Sequence, residues 1–343
     1  MRPYRRVNAG SDTGDNTVQR RSLLKLAAAA SLGGSALLGR ALHAAEAFPS
    51  RPIRILVGFS PGGVTDIVVR ALAESASTVF GQPIIIENKL GAGGVMPAYQ
   101  LLNSTPDGYT LGLIPQSVFR LPYINNIKWD PAQDLEYVIR LTGFTWGLVV
   151  AADSPIKTFK DYVEYARSHP GELSYGTVGS LTTQHLTMEQ IARALGVQFN
   201  HVPYKGVAEA LPALMGGHIM SVADASSWVP YVKAGKMRLL VVWTDKRVPQ
   251  FPDVPTLREV GIDMVQTSPW GLAAPKGTPA AVVQRLHDGF RQAMQGKAFQ
   301  ESLTNYDMEE QYLDGAAYRD FARDAVESET RILGALNVPR GGQ

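Results

Sequence analysis

The 343-residue chain contains no cysteine. That excludes disulfides, cysteine-ligated metals, a thiol nucleophile and a lipidated cysteine behind a leader peptide. No apolar run reaches membrane-spanning length: Leu23 to Leu38, broken by Gly33 and Gly34, falls short of the ~20 residues a span needs. Nor is there a lasting excess of charge. Residues 1–47 hold seven Lys or Arg and three acids, so the remaining 296 residues carry 26 basic and 28 acidic side chains, a net charge of −2. Nothing electrostatic favours a nucleic-acid partner. The five histidines beyond residue 47 (His169, His185, His201, His218 and His287) never stand at i, i+4 or beside carboxylates at ligand spacing, so no metal site is predicted. Paired carboxylates for acid–base work are missing from the loops at strand ends, and a P-loop is missing altogether. Gly91-Ala92-Gly93-Gly94 places Met96 where a dinucleotide fingerprint needs its last glycine, so no cofactor is predicted.

What is present begins with a leader. Arg20-Arg21-Ser22-Leu23-Leu24-Lys25 precedes a modestly apolar Ala/Leu/Gly stretch ending at Ala45-Glu46-Ala47. It resembles a twin-arginine signal, with an ordinary secretory signal as the alternative. Export to the periplasm and cleavage after Ala47 are predicted, releasing a soluble product expected to be a monomer.

Beyond residue 47, short apolar runs such as Ile53 to Phe59, Tyr109 to Ile114, Leu135 to Leu141, Met237 to Trp243 and Val265 to Ala274 alternate with helix-length amphipathic segments. The latter include Asp66 to Phe80, Phe159 to Ser168, Thr182 to Leu195 and Ala280 to Gln295. The alternation predicts an α/β protein with mainly parallel sheets, whose ligands lie beyond the carboxyl ends of the strands. The length favours two lobes. An internal echo suggests where they divide: Thr145-Trp146-Gly147-Leu148 and Pro269-Trp270-Gly271-Leu272 share Trp-Gly-Leu followed by small apolar residues. If both are crossover strands, residues 147–270 form a lobe inserted into one made of 48–146 and 271–343.

Two loops carry the candidate chemistry. The first, Gly58-Phe59-Ser60-Pro61-Gly62-Gly63-Val64-Thr65-Asp66, leads from a strand into a helix, where unpaired N–H groups and the helix dipole favour an anion. It also matches the nucleophile elbow of hydrolases. Pro61, however, lacks the N–H that the elbow's oxyanion hole requires, so no enzyme is predicted. Asp66 has two readings: a stabilising acid in the helix's first turn, or an acceptor for a ligand hydroxyl, amine or water. The second loop, Tyr175 through Thr177, Gly179, Leu181, Thr182 and Thr183 to His185, repeats the pattern of strand, glycine, hydroxyls and helix start. Thr182 or Thr183 serves there as a helix cap, a ligand contact or both, and His185 is expected to pack or hydrogen-bond.

These residues resemble the extracytoplasmic solute receptors of tripartite tricarboxylate transporters, the Bug family of periplasmic binding proteins. The resemblance rests on Pro52-Ile53-Arg54, Phe59 to Gly63 with Thr65-Asp66, Glu87-Asn88 with Gly91 to Gly94, and Pro106-Asp107-Gly108-Tyr109-Thr110-Leu111. It continues through Tyr175 to His185-Leu186, Val202 to Gly206, Ala234-Gly235-Lys236, Val254-Pro255-Thr256-Leu257 and Ala274 to Pro279. It implies a two-lobed type II periplasmic-binding-protein fold of the Venus-flytrap kind that closes over a small carboxylate, delivered to a membrane permease. A ligand-sensing receptor docking onto a sensor kinase needs the same clamp. In the family one ligand carboxylate is held by positions matching Phe59, Ser60, Gly62, Gly63, Thr65 and Asp66. The inserted lobe contributes through positions matching Thr177, Gly179 and Thr182, often with waters, and an acid matching Asp224. This chain departs where Leu181 replaces a usual glycine, Val95 an asparagine and Met220 an acid. Leu181 favours an aromatic or longer aliphatic acid over a compact one such as citrate, and Trp146 and Phe119 could line such a site, although a core role suits both.

Overall fold

An aliphatic run makes Ile53–Val57 a strand (β1) buried at every position but Arg54. The following glycines release the chain into helix α1 (Val64–Phe80), whose buried Val68, Leu72 and Ala76 recur at helical spacing and which stops at left-handed Gly81. Then come β2 (Ile84–Asn88), α2 (Met96–Leu101), β3 (Thr110–Ile114), a 3₁₀ turn at Gln116–Arg120, α3 (Leu121–Ile124) and β4 (Leu135–Thr142). The middle of the chain supplies β5 (Trp146–Ala151), α4 (Phe159–Ser168), β6 (Ser174–Thr177), α5 (Thr183–Leu195) and β7 (Asn200–Pro203). It continues with α6 (Val207–Met215), β8 (Ser221–Ala225), α7 (Val229–Lys233) and β9 (Met237–Val242). The last part is β10 (Trp270–Pro275), α8 (Ala280–Ala293), α9 (Lys297–Asn305), β11 (Glu310–Asp314) and α10 (Gly315–Ala335). This computed structural model describes residues 48–125 and 127–341. The leader predicted over residues 1–47 lies outside them. Among the described residues no helix is long and apolar enough to cross a membrane.

Two sheets organise the two lobes. The first runs β11-β4-β10-β3-β1-β2 and the second β7-β6-β8-β5-β9, both flanked by helices. The expectation of mainly parallel sheets needs correcting, because both are mixed. In the first, β1 is parallel to β2 and β3 while β10 is antiparallel to β3 and β4, and β11 to β4. In the second, β6 is parallel to β7 and β8 while β5 is antiparallel to β8 and β9. For β5 and β10 the reason is the path of the chain. Each strand that arrives from the other lobe enters at the edge where its neighbours end, so it runs against them.

The two connections between the sheets lie side by side. Phe144 N–H donates to Thr267 O (2.6 Å), Trp243 N–H to Trp146 O (3.0 Å) and Gln266 N–H to Trp243 O (2.7 Å). Aromatic rings fill the junction: Trp146 stacks on Trp243 at 6.1 Å, and Phe144 lies 5.2 Å from Trp146 and 6.1 Å from Trp270. Each Trp-Gly-Leu segment is the first strand reached after a crossing. Trp146 pairs with Ala225 in the second sheet and Trp270 with Thr142 in the first, which puts each tryptophan one residue across the division that the echo suggested.

Candidate functional site

Because the crossings leave and enter at the carboxyl ends of β4 and β9, they mark the edge of each sheet where the parallel strands also end. β1 ends there in the first sheet, and β6 and β8 in the second. The end of β8 meets the first crossing directly, with Ser226 donating from both N–H and Oγ to Thr145 O at 3.0 Å. The loops singled out in the sequence therefore face the space between the lobes, as strand-end geometry requires.

On the first lobe, Phe59 to Gly63 form the turn into α1, with Ser60, Pro61 and Gly62 exposed. Gly63 occupies the N-cap position and no side chain caps the helix, so the first-turn N–H groups of α1 have no side-chain acceptor. Asp66 lies buried beneath the turn. Its Oδ2 accepts from Gly62 N–H (2.9 Å) and Arg70 Nε (2.9 Å), and its Oδ1 from Asn88 Nδ2 (2.8 Å). Asn88 Nδ2 also reaches Phe59 O at 2.9 Å, tying the loop to β2. Burial opposes the charge on Asp66, yet hydrogen bonds from Arg70, Asn88 and Gly62 prevail and hold its carboxyl below the ordinary value. The geometry thus gives Asp66 a bracing role within its own loop. Beside it, Gly58 approaches Gly94 so closely that a Cβ would lie 2.2 Å from Gly94 O, and the Phe59 ring covers Gly94.

On the second lobe, Thr177 ends β6 and its Oγ1 donates to Gly179 O at 3.0 Å, with His201 Nε2 at 2.7 Å. Thr182 holds the N-cap position of α5 but does not cap it. Its hydroxyl donates instead to Gly179 O (2.7 Å), which again leaves a helix start without a side-chain acceptor. Asp224, near the end of β8, is 5 % exposed and its Oδ2 is buried without a partner. Burial pushes its carboxyl up to about 7, against the pull of Ser227, Ala225 and Gln184.

Each loop approaches the opposite lobe. A Cβ added to Gly93 would lie 3.8 Å from Thr182 Cγ2, and one on Gly206, at the start of α6, 4.0 Å from Ser60 Oγ. Arg120 bridges the lobes outright. From the first lobe it donates through Nη1 to Leu181 O (2.7 Å) and through Nη2 to Thr183 Oγ1 (3.1 Å), while pairing with Glu329 of α10. Neither Arg120 nor Glu329 stands out in the sequence, because a buried ion pair between residues this far apart leaves no local motif. Asn88 was legible as part of a motif but not as the brace of Asp66. Trp146 and Phe119 are core residues, 5 % and 1 % exposed, and Phe119 packs on Phe321 at 6.0 Å. Among the described residues no group of three acids and histidines is gathered to hold a metal.

Paired crossings between two α/β lobes, with glycine- and hydroxyl-rich strand ends meeting in between, define the class of two-lobed solute-binding proteins. Within that class the chain belongs to the tripartite tricarboxylate transporter family receptors (TctC), whose sequence profile matches residues 68–338. The family is one of receptors, not enzymes. A UPF0065 protein from the gbd 5' region of Cupriavidus necator is 52 % identical over 314 residues, covering 92 % of this chain and 95 % of that one. The structure of the periplasmic binding protein BugD superposes with a TM-score of 0.79 at 29 % identity, over 85 % of this chain and 99 % of that one. MatC from Rhodopseudomonas palustris, solved with bound malate, gives 0.74 at 28 % identity over 83 % and 100 %. A further R. palustris protein, solved with adipate, gives 0.79 at 27 % over 84 % and 98 %.

Proposed function

We propose that this protein is an exported periplasmic receptor that clamps a small organic acid between its lobes and delivers it to the permease subunits of a tripartite tricarboxylate-type transporter. The observation that carries this reading is the pair of helix starts, α1 at Gly63 and α5 at Thr182, which lie at facing strand ends with no side-chain cap. A carboxylate supplies the acceptors these N–H groups lack, and each dipole favours its charge. Phe59, Ser60, Gly62, Gly63 and Thr65 form the first jaw, with Asp66 setting its shape. Thr177, Gly179 and Thr182 form the second, and Asp224 stands at its floor, where a protonated carboxyl donates to the ligand. Relatives solved with malate and adipate support a carboxylate ligand. Leu181 in the second loop favours one with an apolar middle, as in adipate, or an aromatic acid.

The energetics are sufficient. A micromolar complex needs about 8 kcal/mol net, which roughly four to six charge-assisted hydrogen bonds and some apolar contact supply after the cost of ordering two lobes. Isothermal titration of the purified protein with adipate, malate, citrate and benzoate tests the reading. Adipate or benzoate is expected to bind at least about tenfold more tightly than citrate. No heat and no thermal stabilisation from any mono- or dicarboxylate would sink the proposal.

A further inference from the structure

Leu181 adopts φ 58°, the left-handed region that residues with a Cβ rarely occupy. Both sides of the residue are clasped. Its N–H donates to His185 Nδ1 at 3.1 Å, within the second lobe, and its C=O accepts from Arg120 Nη1 at 2.7 Å, from the first. Arg120 is itself immobilised. At 2 % exposure its Nε and Nη2 each stand 3.0 Å from one oxygen of Glu329, and Gln116 Nε2 braces that carboxylate at 2.9 Å. A planar five-donor guanidinium can span Glu329, Leu181 O and Thr183 Oγ1 at once, which an ammonium cannot.

We propose that Arg120 is a closure-dependent positioning residue: it fixes the left-handed turn at Leu181, and with it the second jaw, only when the lobes are together. The proposal rests on the clamp reading above. With the lobes apart, Leu181 O loses its donor and the residue keeps only the bond from its N–H to His185, so Leu181 relaxes toward an ordinary backbone conformation while Thr177 and Thr182 still hold Gly179 O. The first jaw has no such dependence, since Asp66, Asn88 and Gly62 brace one another within one lobe. Capture therefore begins on the first jaw. The second takes its binding shape as closure delivers Arg120, so a ligand resting on the second lobe alone meets an unformed site.

The test combines a ligand-free and a ligand-bound reading on the purified protein. Arg120→Lys keeps a cation beside Glu329 but loses the fork. Amide hydrogen exchange at Leu181 is expected to be at least about tenfold faster in this variant than in the parent under saturating adipate, with the lobes together, and alike in the two proteins without ligand, with the lobes apart. Adipate affinity, by calorimetry, is expected to fall about tenfold, and by less than about threefold when the same change is made on a Leu181→Gly background, where the left-handed turn needs no clasp. Should the Lys variant fail to fold, Arg120→Gln with Glu329→Gln leaves no lone buried charge and is read the same way. Exchange at Leu181 unchanged under saturating adipate, or an equal loss of affinity on both backgrounds, overturns the proposal. If the parent binds none of the acids tried, the carboxylate reading falls and the latch with it; if the parent binds adipate and exchange at Leu181 under adipate is alike in both proteins, the latch alone falls.

Discussion

Asp66 and Asp224 are both buried acids near strand ends, yet their surroundings push them in opposite directions. Asp66 receives donors from Gly62, Arg70 and Asn88 and is held in the charged form. Asp224 has an oxygen with no donor at all, and burial raises its carboxyl to about 7. For a raised acid the native state holds its proton more firmly than the unfolded chain does. The associated stability is therefore complete below the unfolded value near 4 and disappears as pH rises through about 7. Asp224→Asn is expected to melt close to the parent at pH 5 and roughly 3 °C or more above it at pH 8, by scanning calorimetry. Ligand affinity should follow the same sign, since an ionised Asp224 repels a carboxylate that its protonated form can donate to. Parent binding of adipate is expected to weaken above pH 7, and that of the variant to stay level.

At the scale of elements, the close approach of two loops decides more than any single side chain. Gly58, at the end of β1, meets Gly94 backbone to backbone, so a methyl there has nowhere to go. Gly81, which ends α1 at φ 65°, has nothing within 4 Å of an added Cβ. Gly58→Ala is expected to cost roughly 2–4 kcal/mol in urea unfolding and Gly81→Ala only about 1–2 kcal/mol, because the first forces loops apart while the second adds local strain. Elements with strong local signals were legible in the sequence. α4 and α8 fall where amphipathic spacing put them, and β1, β3 and β4 where aliphatic runs did. β11 went unread because Glu310–Asp314 is a polar edge strand whose pairing with β4 makes it a strand. Val265 to Thr267 read as strand but form part of the second crossing, where the backbone of Gln266 and Thr267 bonds to Trp243 and Phe144 at the junction. Both site loops were visible as glycine–hydroxyl punctuation. The Arg120 bridge was not, since it exists only once the lobes have come together.

For the molecule as a whole, the two lobes meet at the aromatic junction of Phe144, Trp146, Trp243 and Trp270, all buried. Trp146 and Trp243 sit on different crossings and stack on each other, so a change in lobe angle alters their mutual geometry. Saturating adipate is expected to change tryptophan emission and to lower the radius of gyration in small-angle scattering. A binding isotherm accompanied by neither change would argue that the lobes do not move on capture.

The adjacency of the two crossings also bears on how the chain comes to be folded. The second sheet is drawn from one continuous stretch, Trp146–Val242, whereas the first cannot be completed until β10 and β11 have been made. The middle of the chain can thus assemble first, and in doing so it brings its own two ends together through the Trp243–Trp146 backbone bond. To the first sheet, the 127 residues between Thr142 and Trp270 then behave as a shorter loop already largely closed, and the entropy of joining β4 to β10 is no longer that of a long floppy segment.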